Sequence, residues 1–220
     1  MARLLLVACA IRLYSMKRYS LADGTDLVRA ARDSIEIYLR SPDNDASMAR
    51  AQVRRHTRKA GAFVTIMHYP TGELRGCMGT IEPKCELGDA VVDAAFAAAF
   101  NDSRFVAVSI GELEHMVVEV SVLSEPVKLK GAMQTRLKSI KVGRDGILVR
   151  YGDRAGLLLP HVPVEERWTK ERFLEEACMK AGLTGSHWKQ PNISIYAFEA
   201  QVFREESPGG NVIEVSNKIE

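Results

Sequence analysis

Residues 61–81 read GAFVTIMHYPTGELRGCMGTI. Residues 62–67 are mostly apolar or β-branched, which is typical of a strand. A proline and a glycine within residues 70–72 favour a turn, and residues 74–81 are predicted to return as a second strand that contains two glycines. Glycines inside a strand often mark a bulge or the close approach of another backbone. The stretch therefore predicts an antiparallel hairpin whose second strand is irregular.

The flanking elements show helical and strand patterns without a regular βαβ order. Apolar residues at helical spacing predict helices at residues 23–40 and 87–100, and the second helix is rich in alanine, so another element can pack closely against it. Thr169 suits the N-cap of a third helix. Apolar or alternating runs predict strands at residues 117–123, 147–151, 156–159 and 193–203. This order predicts an α+β fold with mainly antiparallel sheets and flanking helices.

Length and composition place the chain among ordinary globular proteins. It has 220 residues, 46% of them hydrophobic and 26% charged, which excludes disordered, collagen-like and coiled-coil classes. The net charge of only +2 argues against a general nucleic-acid-binding protein. We expect a single domain at residues 16–205, with room for a larger and a smaller lobe. It lies between an N-terminal extension at 1–15 and a polar, loosely held tail at 206–220.

Four cysteines, at positions 9, 77, 85 and 178, bear on compartment and metal binding. Their spacing includes no CxxC pair, which argues against a zinc site and a disulfide framework and favours a reducing cytoplasm. The apolar run that begins at Leu4 is too short for a signal peptide or a membrane-spanning helix. We interpret residues 1–15 as an edge strand or as an extension before a natural start at Met16, dispensable for folding.

The glycine-containing strand resembles the LRGCIG signature of the AMMECR-type domain family, here Leu74-Arg75-Gly76-Cys77-Met78-Gly79. Other segments are similar to family motifs, in the expected order over residues 20–204: Gly61-Ala62-Phe63-Val64-Thr65, Asp102-Ser103-Arg104-Phe105 (DPRF), Glu119-Val120-Ser121-Val122-Leu123-Ser124 (EVSVLS), Gly156-Leu157-Leu158-Leu159-Pro160-His161-Val162 (GLLLPQV) and Lys180-Ala181-Gly182-Leu183. The chain departs from the family at Met78, Ser103 and His161, where isoleucine, proline and glutamine are usual.

The resemblance implies a cytoplasmic α+β fold of two unequal lobes and no settled activity, and it leaves the cofactor unknown. In prokaryotes such domains are often encoded with, or fused to, Memo-type and radical-SAM proteins. The resemblance therefore implies such a protein as a partner, and it hints at shared redox or radical chemistry by analogy alone.

Cys77 is the candidate reactive residue within the signature. If the strand alternates, Arg75 and Cys77 share a face, and a nearby guanidinium lowers the pKa of a thiol. Backbone N–H groups at Gly76 and Gly79 are then free to hold an anion. Under the alternative interpretation, Cys77 is a buried small hydrophobic residue without chemistry.

Five further residues are candidates for the same site. His161 is the best placed histidine to act as a base, although an exposed loop histidine is the simpler interpretation. Asp102 and Arg104 follow a helix end and form either a polar wall near the signature or a cap with a surface ion pair. Glu119 and Ser121 share one strand face, which lines a cleft or faces solvent.

The segment from Arg50 to Lys59 is a candidate nucleic-acid contact. Arg54, Arg55 and Arg58 would share a face if this segment were helical. No interleaved aromatic residue supports RNA binding, so a solvated charged face is the favoured interpretation.

Two main functional hypotheses follow from these residues. The first is an enzyme with Cys77 as nucleophile or acceptor and Arg75 as the holder of an anionic group. The second is an adaptor without catalytic activity that presents the same groove to another protein. RNA binding through residues 50–59 ranks third.

Overall fold

The computed structural model describes residues 18–41 and 47–215. Its helices are α1 (Leu21–Arg40), α2 (Ser47–Gln52), α3 (Leu87–Phe100), α4 (Met133–Ser139), α5 (Val162–Glu165) and α6 (Lys170–Lys180). Its strands are β1 (Gly61–His68), β2 (Leu74–Thr80), β3 (Met116–Leu123), β4 (Val127–Lys128), β5 (Asp145–Tyr151), β6 (Arg154–Leu158), β7 (Ser194–Glu205) and β8 (Val212–Val215). Short 3₁₀ segments lie at Ile110–His115 and Gly185–Lys189.

The strands form an antiparallel sheet in the order β2-β1-β3-β7-β5-β6. The long strand β7 connects two parts of this sheet. Its first half pairs with β4 and β5, and its second half pairs with β3 and β8. The predicted α+β fold with antiparallel sheets and flanking helices is therefore confirmed.

The larger hydrophobic core lies between the β1–β3 part of the sheet and the helices α1 and α3. Helix α1 begins with a capping box in which Ser20 and Asp23 exchange hydrogen bonds. On β3, Val118, Val120 and Val122 are fully buried in this core. Because side chains alternate along a strand, Glu119 and Ser121 lie on the opposite face of the sheet.

A second, smaller core lies between α6 and the β5–β7 part of the sheet. Thr169 is the N-cap of α6, as predicted, and its side chain accepts a hydrogen bond from the backbone N–H of Arg172. Phe173 and Leu174 of this helix are fully buried. The parts of the molecule around these two cores are called the larger and the smaller lobe below, and a third, smaller cluster consists of Leu123, Leu148 and Phe198.

The structure differs from the sequence prediction in the segment after residue 206. Residues Val212–Val215 form β8, which pairs with β7, and Val212 is buried. The expected loosely held tail is therefore wrong for these residues, because an apolar run next to the open edge of β7 completes the sheet. The predicted extension at residues 1–15, with Cys9, lies outside the described residues.

The described helices include none that is both long and apolar enough to cross a membrane.

Candidate functional site

A cavity of about 910 Å³ lies against the sheet face that points away from α1 and α3. The strand register aligns Cys77 on β2, Thr65 on β1, Glu119 on β3 and Arg204 on β7 in one row across this face. All four residues line the cavity. The antiparallel sheet thus gathers side chains that are far apart in sequence.

A bulge at Arg75 determines which side chains of β2 reach the cavity. Ile66 is paired with Gly76 and Met67 with Leu74, so Arg75 is the extra residue of the bulge. Leu74 and Cys77 therefore line the cavity, whereas Arg75 is absent from its lining. The expectation that Arg75 and Cys77 share a face is wrong, because the inserted residue reverses the alternation.

Arg75 is instead buried and forms an ion pair with the partly exposed Glu112. It is 6% exposed, and its Nε donates to Oε1 of Glu112 at 2.7 Å. Burial opposes the ionisation of Glu112, but hydrogen bonds from Arg75 and Ser109 outweigh this effect and lower the pKa of the carboxyl to about 2. This pair ties β2 to the 3₁₀ segment before β3 and leaves Arg75 away from any ligand in the cavity.

The two glycines of the signature make room for protein backbone. A Cβ atom on Gly76 would lie 2.2 Å from the carbonyl oxygen of Ala98 in α3, and one on Gly79 would lie 2.1 Å from that of Ala62. These positions are therefore occupied by neighbouring elements, and the expected room for a ligand beside the glycine backbone is not present. The prediction that alanine-rich α3 packs closely against another element is consistent with the contact at Ala98.

Cys77 is half-buried and lies among polar groups. Thr65 Oγ1 donates to Cys77 Sγ at 3.4 Å, and Arg104 Nη2 donates to the carbonyl oxygen of Cys77 at 3.4 Å. Burial raises the pKa of the thiol, although Thr65, Arg104 and Lys180 act in the opposite direction. The expected activation of Cys77 by a nearby guanidinium is therefore wrong, because burial outweighs the positive charges.

Asp102 and Arg104 form a polar wall beside Cys77. Asp102 is buried and accepts hydrogen bonds from Arg104 Nε at 2.9 Å and from Arg104 Nη2 at 2.7 Å. The guanidinium of Arg104 holds the pKa of Asp102 well below its usual range. The structure thus brings both predicted residues next to the signature strand.

Glu119 is a buried carboxyl group in the cavity. It is 8% exposed, and its Oε2 lies 3.8 Å from Arg204 Nη1. Burial raises its pKa to about 7, and the negative charge of Glu165 adds to the rise, whereas Arg204 reduces it. At neutral pH this group is therefore divided between its acid and its carboxylate forms.

Ser121 lies next to Glu119 on the same face but does not line the cavity. It is 1% exposed, between Phe63 on β1 and Val202 on β7. Its Oγ is buried without a hydrogen-bond partner within the described part of the chain.

The opposite wall of the cavity comes from the segment after β6 and from the end of α6. His161, Glu165 and Lys180 line it together with apolar residues. Burial lowers the pKa of His161, so its imidazole is neutral at pH 7. Desolvation likewise lowers the pKa of Lys180. The cavity therefore lies where the two lobes meet, a common position for a ligand site.

Sequence reasoning missed Thr65, Glu165, Lys180 and Arg204. Thr65 ends the family-like segment at residues 61–65, and Lys180 begins the one at residues 180–183. The resemblance is therefore the signal that could have identified these two residues. Within residues 18–41 and 47–215, no group of three or more His, Cys, Asp or Glu side chains is arranged to hold a metal ion.

The basic stretch lies apart from this cavity. Helix α2 ends at Gln52, so Arg54, Arg55 and Arg58 do not share a helix face, contrary to the expectation. Arg50 forms ion pairs with Asp89 and Asp93 on α3, and Arg55 pairs with Asp26 on α1. These pairs neutralise part of the charge on which RNA binding would depend.

The comparisons with known proteins identify the family. The AMMECR1 family model matches residues 28–203, which is most of the chain. This chain belongs to the AMMECR1 family. The resemblance of the LRGCIG-like strand is thereby confirmed.

Relatives and a solved structure agree with this assignment to the AMMECR1 family. Protein MK0488 from Methanopyrus kandleri is 46% identical over 200 residues, which cover 90% of this chain and 96% of that protein. Protein MJ0810 from Methanocaldococcus jannaschii is 42% identical, with coverages of 90% and 98%. The crystal structure of the uncharacterized protein PH0010 from Pyrococcus horikoshii matches with a TM-score of 0.81 and 40% identity, over 89% of this chain and 97% of that one.

Proposed function

We propose that this AMMECR1-family protein is an enzyme that binds a small anionic molecule in the cavity of about 910 Å³, which is called the sheet cavity below. Glu119 acts there as a general acid–base that adds a proton to this molecule or removes one from it. The observation that carries the proposal is the buried Glu119 carboxyl group on the cavity surface, in one row with Cys77 and Arg204. A general acid–base works best when its pKa is near the ambient pH. Glu119, with a pKa of about 7, meets this condition.

The charges around the cavity favour an anionic ligand. The lining contains three cations, Arg104, Lys180 and Arg204, and three carboxyl groups, Asp102, Glu119 and Glu165. When Glu119 is protonated, the cations exceed the carboxylates by one, so a bound anion balances the charge. Apolar lining residues accompany these charges and suit an anionic molecule that also has an apolar part: Phe63, Met67, Leu74, Leu159, Val162 and Val164.

Each polar residue has a distinct role in this proposal. Lys180 and Arg204 hold the anionic group, and the neutral imidazole of His161 offers a hydrogen bond to the substrate. Cys77 contributes a protonated thiol. Thr65 lies between Cys77 and Glu119 in the row, so the thiol acts as a hydrogen-bonding group toward the substrate and Glu119 does not deprotonate it directly.

An adaptor remains the second candidate function because part of the cavity rim is apolar and exposed. Leu74 lines the cavity and is 42% exposed. A protein partner would use such a surface. However, a buried carboxyl group with a raised pKa makes the native state less stable, and a docking groove does not require such a group.

Selective alkylation tests the anion preference without knowledge of the substrate. Iodoacetate is anionic and iodoacetamide is neutral, and the ratio of their rates reports the charge around a thiol. Cys85 is an internal control because it lies outside the sheet cavity, near two carboxylates, Asp89 and Asp93, and one cation, Arg50. We expect a higher iodoacetate-to-iodoacetamide ratio at Cys77 than at Cys85, measured by mass spectrometry of each peptide. Lys180→Gln should lower the ratio at Cys77, whereas Lys170→Gln, at the other end of α6, should not.

The titration of Glu119 tests the acid–base role directly. Carbon-13 NMR of labelled glutamate carboxyls, assigned with Glu119→Gln, should show a midpoint near pH 7. A midpoint at the ordinary value of 4.5, together with equal alkylation ratios at Cys77 and Cys85, would overturn the proposal and favour the adaptor.

A further inference from the structure

A second cavity, of about 640 Å³, lies in the smaller lobe. The loop between β4 and α4 forms one side, and the segment at residues 189–194 forms the other. No residue lines both this cavity and the sheet cavity. The function proposed for Glu119 therefore does not account for it.

Positive charge is concentrated around this cavity. Lys128, Lys130, Arg136 and Lys189 line it, and no acidic residue does. The net charge of the whole chain is only +2, so overall composition does not explain four cations in one place. Within the described ranges, no ion pair is found for Lys128, Lys130 or Lys189, whereas Arg50 and Arg55 of the basic stretch are paired with carboxylates.

Arg136 is a cation whose position in this cavity is fixed by a hydrogen bond. Its Nη1 donates to the carbonyl oxygen of Ile193 at 3.3 Å, which holds the guanidinium against the cavity wall. Its Nε is buried and has no hydrogen-bond partner within the described part of the chain. The contact with Ile193 fixes the position of the positive charge of Arg136 at the cavity wall.

From these observations we propose that this cavity binds a small polyanion that carries phosphate groups. Lysines act as point charges for phosphate, and an arginine adds directed donors. The side chains of Asn192 and Ser194 supply further polar contacts in the lining. The cavity lacks an exposed aromatic platform for nucleic-acid bases: Trp188 next to Lys189 is 3% exposed and cannot stack on them. A compact phosphorylated molecule fits these features better than a nucleic-acid strand.

Calorimetry with inorganic pyrophosphate and the full chain tests the proposal. The double variant Lys130→Gln/Lys189→Gln removes two cavity charges, and Lys138→Gln/Lys170→Gln removes the same charge outside both cavities. We expect the cavity variant to weaken binding by at least about tenfold, since a unit charge near a ligand contributes about a factor of five even in water. The control variant should bind like the wild type. Lys180→Gln should also leave this affinity unchanged, which separates the site from the sheet cavity.

The indole N–H signal of Trp188 gives a local readout by NMR. Lys189 Nζ lies 5.4 Å from the centre of the Trp188 ring, so pyrophosphate at this site should shift that signal more than the signal of Trp168. Three results would overturn the proposal: no binding at millimolar pyrophosphate, equal weakening in both double variants, or tight binding of a single-stranded oligonucleotide without binding of pyrophosphate. The last of these would assign the charge to nucleic acid.

Discussion

The carboxylate of Asp102 accepts a hydrogen bond of 2.9 Å from the backbone N–H of Cys77. The loop after α3 thereby satisfies a backbone donor on β2, which lies at the edge of the sheet. The same carboxylate binds the guanidinium of Arg104. One buried charge thus fixes both the position of the signature strand and the polar wall of the cavity.

Asp102→Asn should destabilise the protein by about 1–3 kcal/mol at pH 7, because hydrogen bonds to a charged group are stronger than those to an amide. Urea denaturation measures the change, and Ser103→Ala, at the exposed neighbouring position, is the control. Since the pKa of Asp102 is lowered in the folded state, this stabilisation is present above the ordinary value of 3.8 and is lost as the pH falls below it. A loss within about 0.5 kcal/mol of the control would mean that the charge has no role in holding the strand.

The contact between Gly76 and α3 leads to a second prediction. Gly76→Ala places a methyl group against the carbonyl oxygen of Ala98, and backbone cannot move aside as a flexible side chain can. We expect a loss of about 3 kcal/mol or more, the upper part of the range for overpacking. Gly111→Ala is the matched control, because no atom lies within 4 Å of the new methyl group there. Equal melting temperatures for the two variants would contradict the close contact.

Much of this fold can be predicted from sequence because local patterns determine it. The bounds of α3 agree with the predicted residues 87–100, and the alternation of Val118, Val120 and Val122 is enough to place Glu119 on the other face. The position of Arg75 is different. Both neighbours of the bulge, Leu74 and Gly76, are compatible with either face, so no hydrophobic pattern reveals the inserted residue.

Local sequence patterns also do not predict which residues line the cavity. Lys180 reaches the cavity only because α6 packs on β5 and β6 of the smaller lobe, and no spacing relates it to Cys77. The raised pKa of Glu119 arises from its burial and from the negative charge of Glu165, which lines the same cavity from the segment after β6. Tertiary packing of the two lobes decides both features, whereas the strand pattern indicates only which face each side chain occupies.

The ion pair of Arg75 gives a third prediction. Arg75→Ala should destabilise the protein by about 1–3 kcal/mol, because it removes a hydrogen bond to the Glu112 carboxylate and leaves that group with only its hydrogen bonds from Ser109. It should leave the rate of iodoacetamide labelling at Cys77 in the folded protein unchanged, since the two side chains lie on opposite faces. Guanidinium denaturation and peptide mass spectrometry measure the two effects, with Arg104→Ala for comparison. A large change in labelling with little change in stability would restore Arg75 to the site.

The fourth prediction concerns the pH dependence that Glu119 imposes on stability. In the folded protein its pKa is raised from 4.5 to about 7. Between these two values the native state retains a proton that the unfolded chain has lost, so the stability of the wild type falls as the pH rises through this window. Above about pH 7 the full loss of stability is present, and the rise in the pKa of Glu119 corresponds to about 3 kcal/mol in the free energy of unfolding.

Glu119→Gln removes this penalty while keeping the shape of the side chain. The variant should match the wild type near pH 4 and should be more stable at pH 8, by up to about 3 kcal/mol. Urea denaturation at intervals from pH 4 to pH 8 measures the difference, and Glu114→Gln, at an exposed position on the 3₁₀ segment, should follow the wild type throughout. If Glu119→Gln were less stable than the wild type at pH 8, the native carboxylate would be stabilised by its partners. Glu119 would then be a structural ion-pair residue and not the acid–base group of the cavity, because a carboxylate held in that form does not carry the proton at neutral pH.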